Sequence, residues 1–366
     1  MQAPGASKAS PLTMRLRLRA PDKREISDYN VASTMNQTDQ KSSRADSGAT
    51  AVADLPSASN FPEQLTEIYP VPPLARRSDA KRSFDFDANM KIFRHLVDNG
   101  VTRIVYGGNA FLYQITTAEY AQLTDWLGGL KNEATIIPGV GSSYGRAMDQ
   151  APLIRRYGFP SVLVLPTGDP RDATGMERGM HEIADACGVP LMLYVKHELD
   201  YGADLDAGIE AIGRLVDSKV CAGIKYAIVR KDPAEDAYLA KLVQRVDPSK
   251  IISGIGERPA VTHLRKFKLS GFTTGSGVVA PKLCRAVLDA CRSENYARAG
   301  SLREEFIPLE DLRDAWGPSK VLHAAVALAG IADTGSIPPW VSEVTADQAE
   351  RIRPVAQALF KRNSEE

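Results

Sequence analysis

The sequence predicts an α/β protein, a (β/α)8 barrel of the TIM type with extra C-terminal helices. Two observations lead there. Between residues 64 and 293, short apolar runs alternate with amphipathic stretches, and eight of the runs read as strands. A doubly wound sheet would usually need fewer strands, and the first strand–turn lacks the G-x-G-x-x-G fingerprint of that fold. The expected organisation is a disordered extension over 1–60, the barrel over 61–293, and a helical region packed on it over 294–366.

The strands are expected at 68–74, 103–107, 135–139, 161–165, 191–195, 222–226, 251–254 and 272–276. Each is a nearly continuous apolar run, the pattern of strands buried on both faces. Helices are expected at 87–99, 117–131, 171–187, 205–217 and 233–246. Thr116 or Thr117 before Glu119 is a capping signal, and Asp232-Pro233 is a start signal. Gly100, Gly158 and Gly188 mark helix ends, where a left-handed residue favours glycine. Beyond the eighth strand, helices are expected at 282–293, 296–309, 319–329 and 346–362.

Composition narrows the function. The 366 residues carry 45 basic and 45 acidic side chains, which argues against a general nucleic-acid or anionic-membrane binder. No apolar run is long enough to span a bilayer. Cys187, Cys221, Cys284 and Cys291 show no metal-type pairing and read as reduced, buried thiols. A cytoplasmic location is expected. Residues 1–60 are polar and poor in large apolar side chains, hence the expectation of disorder. Within 1–24, Arg15, Arg17 and Arg19 alternate with Leu16 and Leu18. That suits an organellar presequence, and a translation start placed too far upstream of Met14 or Met35 suits it equally.

The chemistry centres on Lys225. It ends an apolar run, Val220-Cys221-Ala222-Gly223-Ile224-Lys225, at the C-terminal end of the sixth strand. Burial disfavours the ammonium form, lowers the pKa and makes the amine a nucleophile for carbonyl carbon. A snorkelling or carboxylate-paired lysine is the bland alternative. Tyr194 ends the fifth strand, and Gly107-Gly108-Asn109 follows the second. Gly256-Glu257 follows the seventh. In a barrel all these positions lie on the face that carries active sites. Backbone N–H groups of a glycine turn suit an anion.

In this order and spacing, Gly223-Ile224-Lys225, Leu193-Tyr194, Ile137-Pro138-Gly139-Val140-Gly141 and the segment Gly275-Ser276-Gly277-Val278-Val279-Ala280-Pro281 resemble the dihydrodipicolinate synthase / N-acetylneuraminate lyase family. The resemblance runs over roughly residues 64–330. It implies a class I aldolase without cofactor or metal. Lys225 would form a Schiff base with a pyruvate-type 2-oxo acid, and Tyr194 would move protons. Gly107, Gly108, Asn109, Lys196, Gly256 and Ser276 are the expected substrate contacts. The partners implied are a small 2-oxo acid and further copies of the chain, as a tetramer or dimer, with no nucleic acid and no membrane.

Three positions depart from the synthase branch. Its relay tyrosine should follow strand four, where the chain reads Leu165-Pro166-Thr167-Gly168-Asp169-Pro170. Leu199 stands where an arginine would hold the aldehyde's carboxylate, and Phe111 replaces a glutamate in the glycine turn. The expected function is therefore a lyase or aldolase of a 2-oxo acid. A dehydratase of a keto-deoxy sugar acid, of the 5-dehydro-4-deoxyglucarate kind, and a non-catalytic 2-oxo-acid-binding barrel are the alternatives. Lys196, His197 and Glu198, like Glu257 and Arg258, read either as contacts to a polyhydroxylated acid or as solvated loop charges. His95, His181, His263 and His323 lie in expected helices at no ligand spacing and read as structural or surface residues.

Overall fold

The computed structural model describes residues 65–366. The expectation for 1–60 lies outside the described residues. Eight strands form one parallel sheet: β1 Ile68–Pro70, β2 Arg103–Tyr106, β3 Thr135–Val140, β4 Val162–Val164, β5 Leu191–Val195, β6 Cys221–Tyr226, β7 Ile251–Ser253 and β8 Gly271–Thr274. Their order is β1-β8-β7-β6-β5-β4-β3-β2, and β1 lies beside β2, so the sheet rolls into a (β/α)8 barrel. The first strand is shorter than expected, since Pro70, Pro72 and Pro73 offer no N–H to a ladder. The eighth stops at Thr274, where a 3₁₀ turn Ser276–Val278 begins.

The crossover helices are α1 Phe86–Asp98, α2 Thr117–Leu130, α3 Tyr144–Tyr157, α4 Ala173–Cys187, α5 Leu205–Asp217, α6 Ala237–Arg245, α7 Glu257–Lys266 and α8 Pro281–Arg292. Local chemistry sets their starts. Thr116 and Glu119 form a reciprocal capping box on α2, and Asp172 caps α4. Helix α6 begins later than expected, because Asp236 rather than Asp232 accepts the N–H of Leu239. Gly158 and Gly188 end α3 and α4 at φ of 62° and 70°. The four cysteines are reduced and buried. No described helix is long and apolar enough to cross a membrane.

Four further helices follow: α9 Tyr296–Glu304, α10 Ile307–Trp316, α11 Pro318–Leu328 and α12 Ala346–Asn363. The single helix expected at 296–309 is two helices. The chain breaks at Glu305 and Phe306, and Pro308 lies in the first turn of α10, where its missing N–H leaves no intrahelical bond unmade. Helix α9 packs on α7 and α8, α10 on α7, and α11 on the turn after β2. The helical region thus reaches the C-terminal end of the barrel, where it can complete a site.

A pair of glycines tests the packing. At Gly271 an added Cβ would lie 2.7 Å from Leu65 O and 2.9 Å from Glu67 N, backbone atoms with nowhere to go. Gly271→Ala should destabilise the fold by about 3 kcal/mol in urea unfolding. Gly300, inside α9 with open space around it, should gain about 1 kcal/mol as alanine from helix propensity alone.

Candidate active site

Lys225 is the next-to-last residue of β6 and only 4% exposed. It pairs in register with Tyr194 of β5. Its Nζ stands 4.1 Å from the centroid of the Tyr194 ring. No carboxylate or hydrogen-bond acceptor holds it among the described residues. Loss of water and, second, the nearby Arg313 guanidinium lower its pKa to about 7. Both bland alternatives for this lysine fail, since it is neither snorkelled nor paired. Tyr194 is half-buried, and burial pushes its phenol upward, so it stays neutral and can donate a proton.

The neighbours fix the lysine's position. Tyr226 Oη donates to Asp236 Oδ2 at 2.6 Å, which ties the end of β6 to the cap of α6. At Gly254 a Cβ would come within 2.9 Å of Lys225 Cγ and 2.8 Å of Ala227 Cβ. Glycine there leaves the lysine stem its path to the barrel mouth.

A cavity of about 380 Å³ opens over this point. Lys225, Tyr194, Tyr113, Asn109, Gly256 and Arg313 line it. The turn after β2 contributes Gly108 and Asn109. Asn109 Nδ2 donates to Val71 O at 3.0 Å, so one of its donors anchors the turn to the end of β1. Phe111 sits at φ 55° with its ring edge-on to His323. Burial lowers His323 to about 4, so a neutral ring faces the phenyl.

The structure brings Lys225, Tyr194, Gly108, Asn109, Lys196 and Gly256 to one cavity. Lys196 is exposed at its rim. Gly107 and Ser276 stand behind its wall. A Cβ at Gly107 would meet Leu163 Cδ2 at 3.1 Å, and the buried Ser276 Oγ accepts from Arg313 Nη1 at 3.1 Å. Glu257 is fully buried rather than a solvated loop charge, accepting from Thr274 Oγ1 and from Gly277 N at 3.1 Å. Arg258 pairs with Asp311 at 2.6 Å. His263 is a core residue, its Nδ1 2.9 Å from Ser253 Oγ. No metal-type cluster occurs among the described residues.

Three cavity residues escaped the sequence reading. Tyr113 leaves the β2 turn and lines the cavity with Tyr194; burial above all, and the negative field of Asp200, raise its pKa. Glu310 and Arg313 come from α10, and three-residue spacing on a helix resembles any surface ion pair. The segment that lacks the relay tyrosine, Thr167 to Pro170, lines a second cavity of about 350 Å³ against α3 and α4, which shares Tyr194 with the first.

A buried amine carries a stability cost that pH can reveal. Unfolded, Lys225 titrates at its ordinary 10.5; folded, at about 7. Between those values the unfolded chain binds the extra proton, so stability rises with pH. Lys225→Met should therefore stabilise the protein by roughly 4 kcal/mol near pH 7. The gain should shrink steadily toward pH 10.5. Chemical unfolding of both proteins across that range measures it, and a constant gap would contradict the buried neutral amine.

Comparisons with known proteins bear on the family and the fold. A model of the dihydrodipicolinate synthetase family matches residues 71–359. A 4-hydroxy-tetrahydrodipicolinate synthase of Methylobacterium radiotolerans is 25% identical over 271 residues, 70% of this chain and 84% of that protein. A 4-hydroxy-tetrahydrodipicolinate synthase of Streptomyces coelicolor is 29% identical over 252 residues, 67% of this chain and 78% of that one. Among solved structures, dihydrodipicolinate synthase from Oceanobacillus iheyensis superposes with a TM-score of 0.71 at 21% identity, covering 83% of this chain and 100% of its own. The prophage protein YagE from E. coli K12, of the dihydrodipicolinic acid synthase family and solved in complex with pyruvate, gives 0.69 at 19% identity over 81% and 98%.

Proposed function

Because the chain belongs to the dihydrodipicolinate synthetase family, we propose that it is a lyase that makes or breaks a bond of a 2-oxo acid through an imine on Lys225. The observation that carries this reading is the buried, unpaired amine of Lys225, 4.1 Å over the Tyr194 ring. With a pKa near 7, about half of it is the free base at neutral pH.

The steps follow from the groups present. The lone pair of Lys225 Nζ attacks the ketone carbon, and the carbonyl oxygen takes up a proton. Nitrogen then loses a proton, and the hydroxyl leaves as water once it is protonated. Tyr194, neutral and on the adjacent strand, is suited to supply and take up these protons. The resulting iminium draws electrons from the neighbouring carbon. Loss of a proton there gives an enamine that adds to an aldehyde, and the reverse sequence cleaves the product. The open N–H groups at the start of the Gly108–Ala110 turn are suited to the 2-oxo acid's carboxylate. Tyr113 supplies a second phenol to this cavity from the same chain, while the segment that lacks one lines the neighbouring cavity.

Borohydride treatment with pyruvate should add one reduced pyruvyl group, mapped by peptide mass spectrometry to Lys225. Lys225→Arg should carry none, since arginine stays protonated. A label on another lysine, or no label with any 2-oxo acid, would sink the imine reading.

The lysine-pathway condensation with aspartate semialdehyde should be slow. Leu199 is 54% exposed and offers no cation, and Lys196 is a point charge without a bidentate fork. A missing charged donor at such a contact costs about 2 to 5 kcal/mol. Turnover near an ordinary enzyme's, about 10 per second, would return the chain to the synthase branch.

A further inference from the structure

Helix α10 places Glu310 and Arg313 on one face, and that face meets the barrel mouth rather than solvent. Glu310 is engaged there. Its carboxylate accepts from the N–H of Glu257 at 3.0 Å and of Arg258 at 2.7 Å, the first turn of α7. Arg313 is not fully engaged. Its Nη1 donates to Ser276 Oγ at 3.1 Å and its Nε to Pro318 O at 3.4 Å. Its contact with Glu310 Oε1 is 3.8 Å, beyond a hydrogen bond. Nη2 donates to nothing among the described residues. Arg313 is nonetheless only 8% exposed and lines the cavity that holds Lys225.

The other arginines of that cavity are neutralised. Arg258 faces Asp311 at 2.6 Å and Asp314 at 3.3 Å. Arg230 faces Glu198, and Asp236 at 3.1 Å. Burial and the Glu257 carboxylate raise the pKa of Glu310, which weakens its hold on Arg313. The backbone is shaped around the guanidinium. A Cβ on Gly275 would overlap Arg313 Nη2, and one on Gly256 would overlap Glu310 Oε1. A nearly buried cation with free N–H donors and room cleared for it is a built anion site, and Arg binds carboxylates with two parallel hydrogen bonds. The cavity, about 380 Å³, also exceeds what a three-carbon acid fills.

We propose that Arg313, set by Ser276 and Gly275, binds a second acidic group on the 2-oxo acid that reacts at Lys225, so that the substrates are diacids. This rests on the imine reading above and specifies its substrate class.

The test is borohydride trapping with the full chain, using pyruvate, 2-oxopentanoate, 2-oxoglutarate and 2-oxoadipate, with half-saturation as the readout. The wild-type protein should trap 2-oxoglutarate or 2-oxoadipate at concentrations at least about tenfold below 2-oxopentanoate, the size of one charge-assisted hydrogen bond. Arg313→Gln should bring that ratio close to one, while the loss of its charge near Lys225 shifts trapping of all four acids together. Arg313→Lys should restore part of it. Gly275→Ala, which displaces Nη2 while keeping the charge, should also erase the preference, and serves if Arg313→Gln does not fold. The ratio compares two acids on one protein, so a change in Lys225 basicity cancels. Trapping without diacid preference overturns this inference and leaves the imine reading standing. So does a ratio that Arg313→Gln leaves unchanged. No adduct with any of the four acids overturns both.

Discussion

Lys225 Nζ is removed from water at the end of β6 without a carboxylate to receive it, and much of the surrounding structure serves that arrangement. An ammonium ion cannot be held in such a place cheaply, so the balance shifts toward the neutral form. The barrel supplies the means. β5 sets Tyr194 in register beside the amine, and Gly254 follows β7 where any side chain would strike the lysine stem. Tyr226 and Asp236 lock the strand end from outside the cavity. The fold thus accepts a destabilising group at a fixed position, the usual mark of a reactive site.

The C-terminal helices finish what the barrel starts. Helix α11 rests on the turn after β2, and α10 lays Glu310 across the first turn of α7. Through Arg313, α10 also adds a positive charge that further disfavours the protonated lysine. A helical layer outside the eight βα units therefore bears on the chemistry of the strand ends. That coupling explains the close approach of Gly256 and Gly275 to α10, since both are positions where a Cβ would overlap a charged side chain.

Much of this was legible in the sequence. Buried parallel strands are continuous apolar runs, so the expected bounds of β5 match its ends and those of the other strands lie within a few residues; β1 falls furthest short, for want of N–H groups in its prolines. Lys225 stood out because a lone amine closes such a run. What stayed hidden depends on distance in sequence. Arg313 and Ser276 are 37 residues apart, and their contact is fixed by where α10 docks. The break at Glu305–Phe306, which reorients the face carrying Glu310 and Arg313, has only Pro308 as its signal. Tyr113 enters the cavity from an irregular loop that no periodicity describes. Gly107 and Ser276 are expected as contacts through the family resemblance, yet the side of the backbone they present is set by the strand they follow, and both stand behind the cavity wall.

The central claim is that about half of Lys225 is free base near neutral pH before any substrate binds. Its most direct test is a lysine-labelled NMR titration of the full chain, with the Lys225 signal assigned by its loss in Lys225→Arg. A midpoint near 7 is the result this structure predicts. A midpoint close to 10.5, the value of a solvated lysine, would contradict it.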